Sequence, residues 1–544
     1  MRPLILTFLP ILFSYSCSSV RSVAPEDEIE VLPKQNILLL VADDMGFADL
    51  GCYGSDILTP NIDALAAEGV RFSNFHSAPS CAPTRASLLS GTDNHTAGVG
   101  SQFNRTGDWG YEGHLSDRVI SIPQLLTQAG YNNYMAGKWH LGGASDHLPD
   151  QKGFQRSFAM REGAGNHYND VGITENGASY RLNGDTIAWP KGAYSTDLYT
   201  DYIIDFIEQD KNSDKPFFVY AAYTSPHWPL QVDESYWKKY EENYKDGYEV
   251  LRGERLKSLI DVGIISDEYT LPPLHPNVVP WDSLSPDEQK IETRKMAIYA
   301  GMLENLDHNI GRIITYLKEI GEYENTLIVF MSDNGAAYRD FYNATGWEHL
   351  RETHSNDYEN MGTETSFVSY GPNWAEAGSA PFRYYKQYTY EGGIRTPMII
   401  RSSTTSPGVI NHNFVSLTDL APTFYDFANI EHPSKFEGNK LAPLPGKSIM
   451  PIIYGTEDEI HTPDETWIME HAHHALVRKG EWKLVNPAMD WDEANFELYN
   501  LKEDPMETTD IKEKNPEIFK ELMGAWKEFE RDYQLIRFDS KKTE

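Results

Sequence analysis

"NILLLVAD", residues 36–43, is apolar at nearly every position until charge closes it, and the fold follows from that stretch. A strand with one wet face alternates apolar and polar side chains. A strand apolar throughout has both faces covered, as in parallel or mixed sheets flanked by helices. "KPFFVYAAYTSPHWP" (215–229) and "NTLIVFMSDNG" (325–335) repeat the pattern, and "YMAGKWHLG" (134–142) reads as a further strand and its exit. Between them the apolar spacing turns helical. "TPNIDALAAEG" (59–69) starts at Thr59-Pro60 and stops at Gly69, and "ISIPQLLTQAGY" (120–131) repeats that design. "MAIYAGMLENLDHNIGRIITYLKEIG" (296–321) is a longer helix before the strand at 325. The alternation predicts an α/β domain on a large mixed, mostly parallel sheet, with ligands gathered at the carboxyl ends of its strands.

Composition changes after residue 455. "TWIMEHAHHALVRKGEWKLVNP" (466–487) and "FELYNL" (496–501) give short strands around a Lys-Gly turn, and "NPEIFKELMGAWKEFERDY" (515–533) is an amphipathic helix. A catalytic domain over 30–455 and a small C-terminal α+β subdomain over 456–544, with an antiparallel sheet and one helix, are therefore expected. The 336–381 segment is rich in Asn, Gly and aromatic residues and nearly aperiodic; a loop of that length is often functional. Its Tyr and Trp side chains could stack on an aryl or sugar ring.

"MRPLILTFLPILFSYSC" (1–17) has a basic start and an apolar run too short to span a bilayer, so it reads as a signal peptide. Ser-Tyr-Ser before Cys17 resembles a loose lipobox; a lipid anchor on Cys17 and plain cleavage both stay open. The expected location is the bacterial periplasm, or the outer membrane through that anchor. Besides Cys17, the chain has only Cys52 and Cys81, which could pair in an exported protein. With 81 acidic against 47 basic residues, the net charge of −34 repels nucleic acid and anionic membranes. An anionic substrate would need cations gathered locally.

Two strands end in paired oxygen ligands: Asp43-Asp44 and Asp333-Asn334. Either pair alone reads as turn caps. Together they make an oxygen-only set that favours Ca²⁺ or Mg²⁺ over zinc. Lys138 and His140, two apart in extended chain, would share a face opposite Trp139. His227 sits between two prolines, and Lys386 precedes a Gly-Gly turn; singly, each reads as a surface residue. The histidines of "EHAHHA" around His473 are expected at the surface.

"CAPTRASLLSG" (81–91) resembles the sulfatase signature C-x-P-x-R-x-x-x-L-T/S-G, with Ser90 in place of the commoner threonine. "DDMG", "GKWHLG", "SPHWP", "SDNG" and "KQYTYEGGIRTP" follow in the family's order, nearest its bacterial arylsulfatases. The resemblance implies an alkaline-phosphatase-like fold and hydrolysis of sulfate monoesters, whether aryl, alkyl or carbohydrate. It implies that a sulfatase-maturing enzyme oxidises Cys81 to Cα-formylglycine, whose hydrate forms a covalent sulfoenzyme and then expels sulfate. One Ca²⁺ would be held by Asp43, Asp44, Asp333, Asn334 and the modified Cys81. Arg85 would bond the hydrate and the metal-ligand carboxylates. Lys138 and Lys386 would contact sulfate, His227 would protonate the leaving oxygen, and His140 would take the second hydroxyl's proton.

Two other readings use the same residues. A phosphate or phosphonate monoester hydrolase of the superfamily would typically carry Thr or Ser as nucleophile and two zinc ions. A catalytically inactive lipoprotein that binds sulfated glycans would need no proton donor.

Overall fold

The structure is a computed structural model that describes residues 35–174, 176–488 and 490–537. The expected leader and Cys17 lie outside the described residues. Ten strands pair into one sheet: β1 (Asn36–Ala42), β2 (Val70–Phe72), β3 (Asn132–Lys138), β4 (Arg156–Met160), β5 (Tyr180–Leu182), β6 (Asp185–Ile187), β7 (Phe217–Ala222), β8 (Thr326–Ser332), β9 (Met398–Arg401) and β10 (Val409–Asn411). They run in the order β10-β2-β9-β8-β1-β7-β3-β4-β5-β6. The central stretch β8-β1-β7-β3-β4 is parallel throughout, while β9, β5 and β6 join antiparallel. The mixed, mostly parallel sheet read from the sequence is therefore the sheet that forms.

β1 shows why its sequence had to be apolar throughout. Leu38, Leu40 and Ala42 point into one core with Ile62, Ile203 and Met296, which lie on helices α1 (Pro60–Glu68), α3 (Ser195–Gln209) and α4 (Pro286–Glu319). Ile37, Leu39 and Val41 point into a second core with Ala86 and Phe424, which lie on α2 (Cys81–Ser90) and α5 (Leu420–Phe427). A period of two on a strand covered on both faces leaves no position for a polar side chain. The same burial makes the polar residues that follow each strand conspicuous.

Gly137, next to the end of β3, has φ +118, and a Cβ there would lie 1.8 Å from the Ala222 carbonyl oxygen on β7. Gly137→Ala is expected to lower stability by more than about 3 kcal/mol, through both the backbone conformation and the clash. A thermal melt within a degree or two of wild type would contradict that.

At the C-terminal end, β11 (Thr466–His471), β12 (His474–Lys479), β13 (Trp482–Asn486) and β14 (Glu497–Asn500) form an antiparallel sheet. Helix α6 (Pro516–Asp532) covers it with Leu522, Met523, Trp526 and Phe529. The histidines at the β11–β12 turn were expected at the surface, and they are not there. His471 is fully buried, and His473 and His474 are buried beside Trp491 and Tyr388. Ala472 and His473 both adopt left-handed backbone, which folds the hairpin tip back into the body of the protein. The 336–381 segment also has more order than its composition promised. It contains helical stretches at Leu350–Thr353 and Gly371–Gly378, and its Phe341, Trp347 and Phe367 pack around Trp228. No helix among the described residues is long and apolar enough to cross a membrane.

Candidate active site

β1 and β8 are parallel neighbours, in register with Ala42 opposite Ser332. Asp43-Asp44 and Asp333-Asn334 therefore leave the sheet side by side, at its carboxyl edge. All four side chains are buried. The Asp44 amide donates to Asp333 Oδ1 at 3.1 Å, and Asn334 Nδ2 donates to Asp44 Oδ1 at 2.7 Å. Asp44 has φ +65, a conformation that Asp tolerates better than most residues. Asn334 Oδ1 is buried without a hydrogen-bond partner.

Cys81 is the first residue of α2, a helix buried along its whole length. Its thiol lies 3.4 Å from Asp43 Oδ1 and 3.3 Å from Asp44 Oδ1, and Lys386 Nζ is 3.0 Å from the sulfur. It is not paired with Cys52; both cysteines are free. Burial raises the thiol's pKa well above its ordinary value, and Asp333 and Asp44 add to the shift. A thiol held protonated is a poor nucleophile. The positive end of α2 and the cations beside it nevertheless make this corner attractive to an anion.

One turn along α2, Arg85 is fully buried and donates to Asp333 Oδ2 from Nε at 3.1 Å and from a terminal nitrogen at 2.8 Å. It also donates to the Lys138 carbonyl at 2.9 Å and approaches the Tyr220 hydroxyl at 3.3 Å, so it ties the helix to β8, β3 and β7. Lys138 Nζ bonds both Asp43 oxygens at 2.9 and 2.8 Å; Lys386 Nζ bonds both Asp44 oxygens at 2.7 and 2.8 Å. Burial opposes ionisation of Asp44, but Lys386, His227 and Lys138 overcome it and hold the carboxyl below the usual range. Asp333 goes the other way, raised by burial and by Asp43 against the pull of Arg85. Neither lysine is the solvated surface residue that its sequence position alone allowed.

His227 Nε2 lies 3.3 Å from Asp44 Oδ2, while Nδ1 meets the Trp228 carbonyl at 2.6 Å, which assigns the Nδ1–H tautomer to a neutral ring. His167 Nε2 meets the His227 carbonyl at 3.1 Å. Burial brings the His227 pKa down to about 3, against the pull of Asp44. His140 stands apart from this contact network. The strand ends at Lys138 and His140 has φ +61, so the shared strand face expected for the two does not form. His140 is buried, its Nδ1 has no partner, and burial followed by the charges of Lys138 and Arg105 lowers its pKa well below the ordinary value.

The structure thus joins Asp43, Asp44, Cys81, Arg85, Lys138, His227, Asp333, Asn334 and Lys386 in one contact network. One ligand atom each from Asp43, Asp44, Cys81 and His227 lie within 4.8 Å of one another, close enough to share a metal ion. Sequence reading missed Tyr220, His167 and Gln102, whose side-chain oxygen accepts from Ser80 Oγ at 2.7 Å and from the Ala82 amide at 3.3 Å on either side of Cys81. Gln102 lies in an aperiodic stretch that offers no spacing to read.

Residues 35–430 match the sulfatase family model, and residues 381–532 match the model for the C-terminal part of N-sulphoglucosamine sulphohydrolase. The chain belongs to the sulfatase family. It is 39% identical over 526 residues to an uncharacterized sulfatase of Schizosaccharomyces pombe, covering 92% of this chain and 94% of that one. It is 36% identical over 432 residues to the arylsulfatase of Klebsiella aerogenes, covering 77% and 92%. A solved structure, determined in complex with k-i-k-neocarrahexaose, superposes with a TM-score of 0.67 at 24% identity, covering 94% of this sulfatase and 96% of that chain. The fold is that of sulfatases, alkaline-phosphatase-like, and the family hydrolyses sulfate esters.

Proposed function

We propose that this sulfatase cleaves sulfate monoesters of arylsulfatase type, aryl or alkyl, by means of a Cα-formylglycine made from Cys81 and one calcium ion. The observation that carries this reading is the place of Cys81, at the first turn of a buried helix with its sulfur against Asp43, Asp44 and Lys386. A sulfated sugar is the second reading of the substrate, supported by the match of residues 381–532 to a sulphohydrolase of a sulfated amino sugar.

Asp43, Asp44, Asp333 and Asn334 fit a hard cation on two counts. Asn334 Oδ1 is buried and unpartnered, and burial, with Asp43 adding to it, raises Asp333 against the pull of Arg85 and Lys138. An all-oxygen set of this kind suits Ca²⁺, which when bound would draw a sulfate oxygen and ease deprotonation of a nearby hydroxyl. The hydrate of formylglycine would supply two hydroxyls on one carbon, one to attack sulfur and one to expel sulfate by collapse to the aldehyde.

The remaining steps belong to side chains of this chain. Lys138 and Lys386, with the N-terminus of α2, hold the sulfate oxygens against a protein of net charge −34. Arg85 orients the carboxylates and the nucleophile. His227, its ring fixed through Nδ1–H, turns Nε2 toward the leaving oxygen and passes it a proton from the imidazolium form, which Asp44 favours against burial. His140 takes the proton from the second hydroxyl. Export by the 1–17 leader places the enzyme in the periplasm or, through Cys17, on the outer membrane, with a catalytic domain over 30–455 and a subdomain over 456–544.

Protein coexpressed with a maturase should turn over 4-nitrophenyl sulfate faster than 4-nitrophenyl phosphate; the reverse order would return the phosphatase reading. His227→Ala should cost about 10²–10⁴-fold on an alkyl sulfate, whose leaving oxygen needs the proton. A nitrophenyl ester, whose phenolate leaves unaided, should lose far less. Equal losses on both esters would move the acid role to another residue.

A further inference from the structure

Phe103 and Arg105 stand on the aperiodic stretch that follows α2, and nothing above gives them work. Gln102 anchors this stretch to both sides of Cys81. Phe103 keeps 39% of its surface exposed, uncommon for a phenylalanine this close to a buried centre. Its ring lies 5.9 Å from that of His471, which comes from the tip of the β11–β12 hairpin. Arg105 is exposed as well, and among the described residues it has no carboxylate within ion-pair distance. In a chain with 81 acidic residues, an arginine left unpaired is a cation held in reserve.

The stem of Arg105 is held in place. A Cβ on Gly113 would lie 2.7 Å from its Cδ, so the arginine packs across that glycine. A Cβ on Gly142, two residues beyond His140, would lie 2.7 Å from His114 Cβ. Arg105, Gly113, His114 and Gly142 thus form one corner beside His140, whose pKa the Arg105 charge helps to depress. Lys386 has a corresponding effect on His471, after burial and the histidines nearby. Because Gln102 bonds both neighbours of Cys81, Phe103 and Arg105 lie on chain that leaves directly from the reaction centre.

Resting on the sulfatase reading, we propose that Phe103 and Arg105 form a leaving-group subsite for a cyclic group that carries a second negative charge. The ring stacks on Phe103, and a carboxylate or second sulfate pairs with Arg105. A planar guanidinium bonds either anion through two nitrogens, so the shared chemistry is a second oxyanion on the ring that also bears the scissile ester. Substrates without it are taken but not favoured.

The test compares phenyl sulfate, 3-carboxyphenyl sulfate and 1,3-phenylene disulfate as substrates of matured wild-type, Arg105→Ala, Arg105→Lys and Phe103→Ala protein. Wild type should prefer one or both dianionic esters, and which one identifies the second anion. Arg105→Ala should lower kcat/KM on the preferred ester about tenfold, mostly through KM, and leave phenyl sulfate within about twofold. Arg105→Lys should restore part of the loss, and Phe103→Ala should raise KM for all three. Equal losses across the three esters in Arg105→Ala, or none, would overturn the proposal. Calorimetric binding of the same esters to Cys81→Ala protein, which has no nucleophile, runs the comparison without turnover. There, a preference for dianions that Arg105→Ala abolishes supports the subsite, and equal affinities refute it. Wild-type protein inert toward every ester would count against the hydrolase reading alone.

Discussion

Replacing Cys81 with alanine is expected to bring sulfate-ester turnover down to the level of the solution reaction, a loss of about 10⁴-fold or more. The substitution removes one atom from a fully buried position, and alanine suits the first turn of a helix, so folding should survive. The loss would therefore measure chemistry. Cys81→Ser is the sharper variant. It places one hydroxyl where the proposal requires two on the same carbon, so the first half of the reaction can run and the second cannot. Mixed with substrate, it should accumulate protein heavier by one sulfate and then stop. Intact-mass measurement of matured wild type should instead show position 81 lighter, as a thiol becomes an aldehyde. Active wild-type protein that carries an unaltered thiol would refute the nucleophile.

Asp44→Ala should produce the next largest effect, a fall in turnover of about 10³-fold together with loss of bound calcium. Asp44 is where most of the site meets: Lys386, His227, Asn334 and Cys81 all contact its carboxylate. Its removal leaves the Lys386 ammonium buried and short of its counter-charge, which typically costs about 3–5 kcal/mol of stability. Asp44→Asn keeps the shape and discards the charge. If the carboxylate matters as a ligand, the two variants should lose metal alike. Elemental analysis that finds calcium equimolar with Asp44→Ala protein, at wild-type turnover, would remove Asp44 from the metal set.

Much of this arrangement was legible because burial on both faces of a strand purges it of polar residues. Against "NILLLVA" and "TLIVFMS", the oxygen pairs that follow are conspicuous, and a parallel register sets them beside each other. The cysteine, arginine and two lysines were legible as a pattern in order along the chain. Contacts made by backbone geometry were not. His140 leaves the strand through a left-handed residue, which no i, i+2 argument foresees. The "EHAHHA" histidines looked like surface because nothing near them in the sequence completes a metal or catalytic set. A hairpin tip with two consecutive left-handed residues, folded inward against Tyr388 and Trp491, buries them instead. Phe103 and Arg105 are invisible for a related reason, since their meaning lies in what they fail to pair with.

Helix α2 shows no surface on any of its ten residues. A second protein that edits the side chain at its first position has no way in once the sheet and its layers have closed. Any such editing has to finish while the polypeptide is still extended, before the native state shuts over it. Chain that folds early would be stranded as stable, well-packed and permanently inert thiol protein, so yield of working enzyme becomes a race between two clocks in biosynthesis rather than a property of the finished molecule.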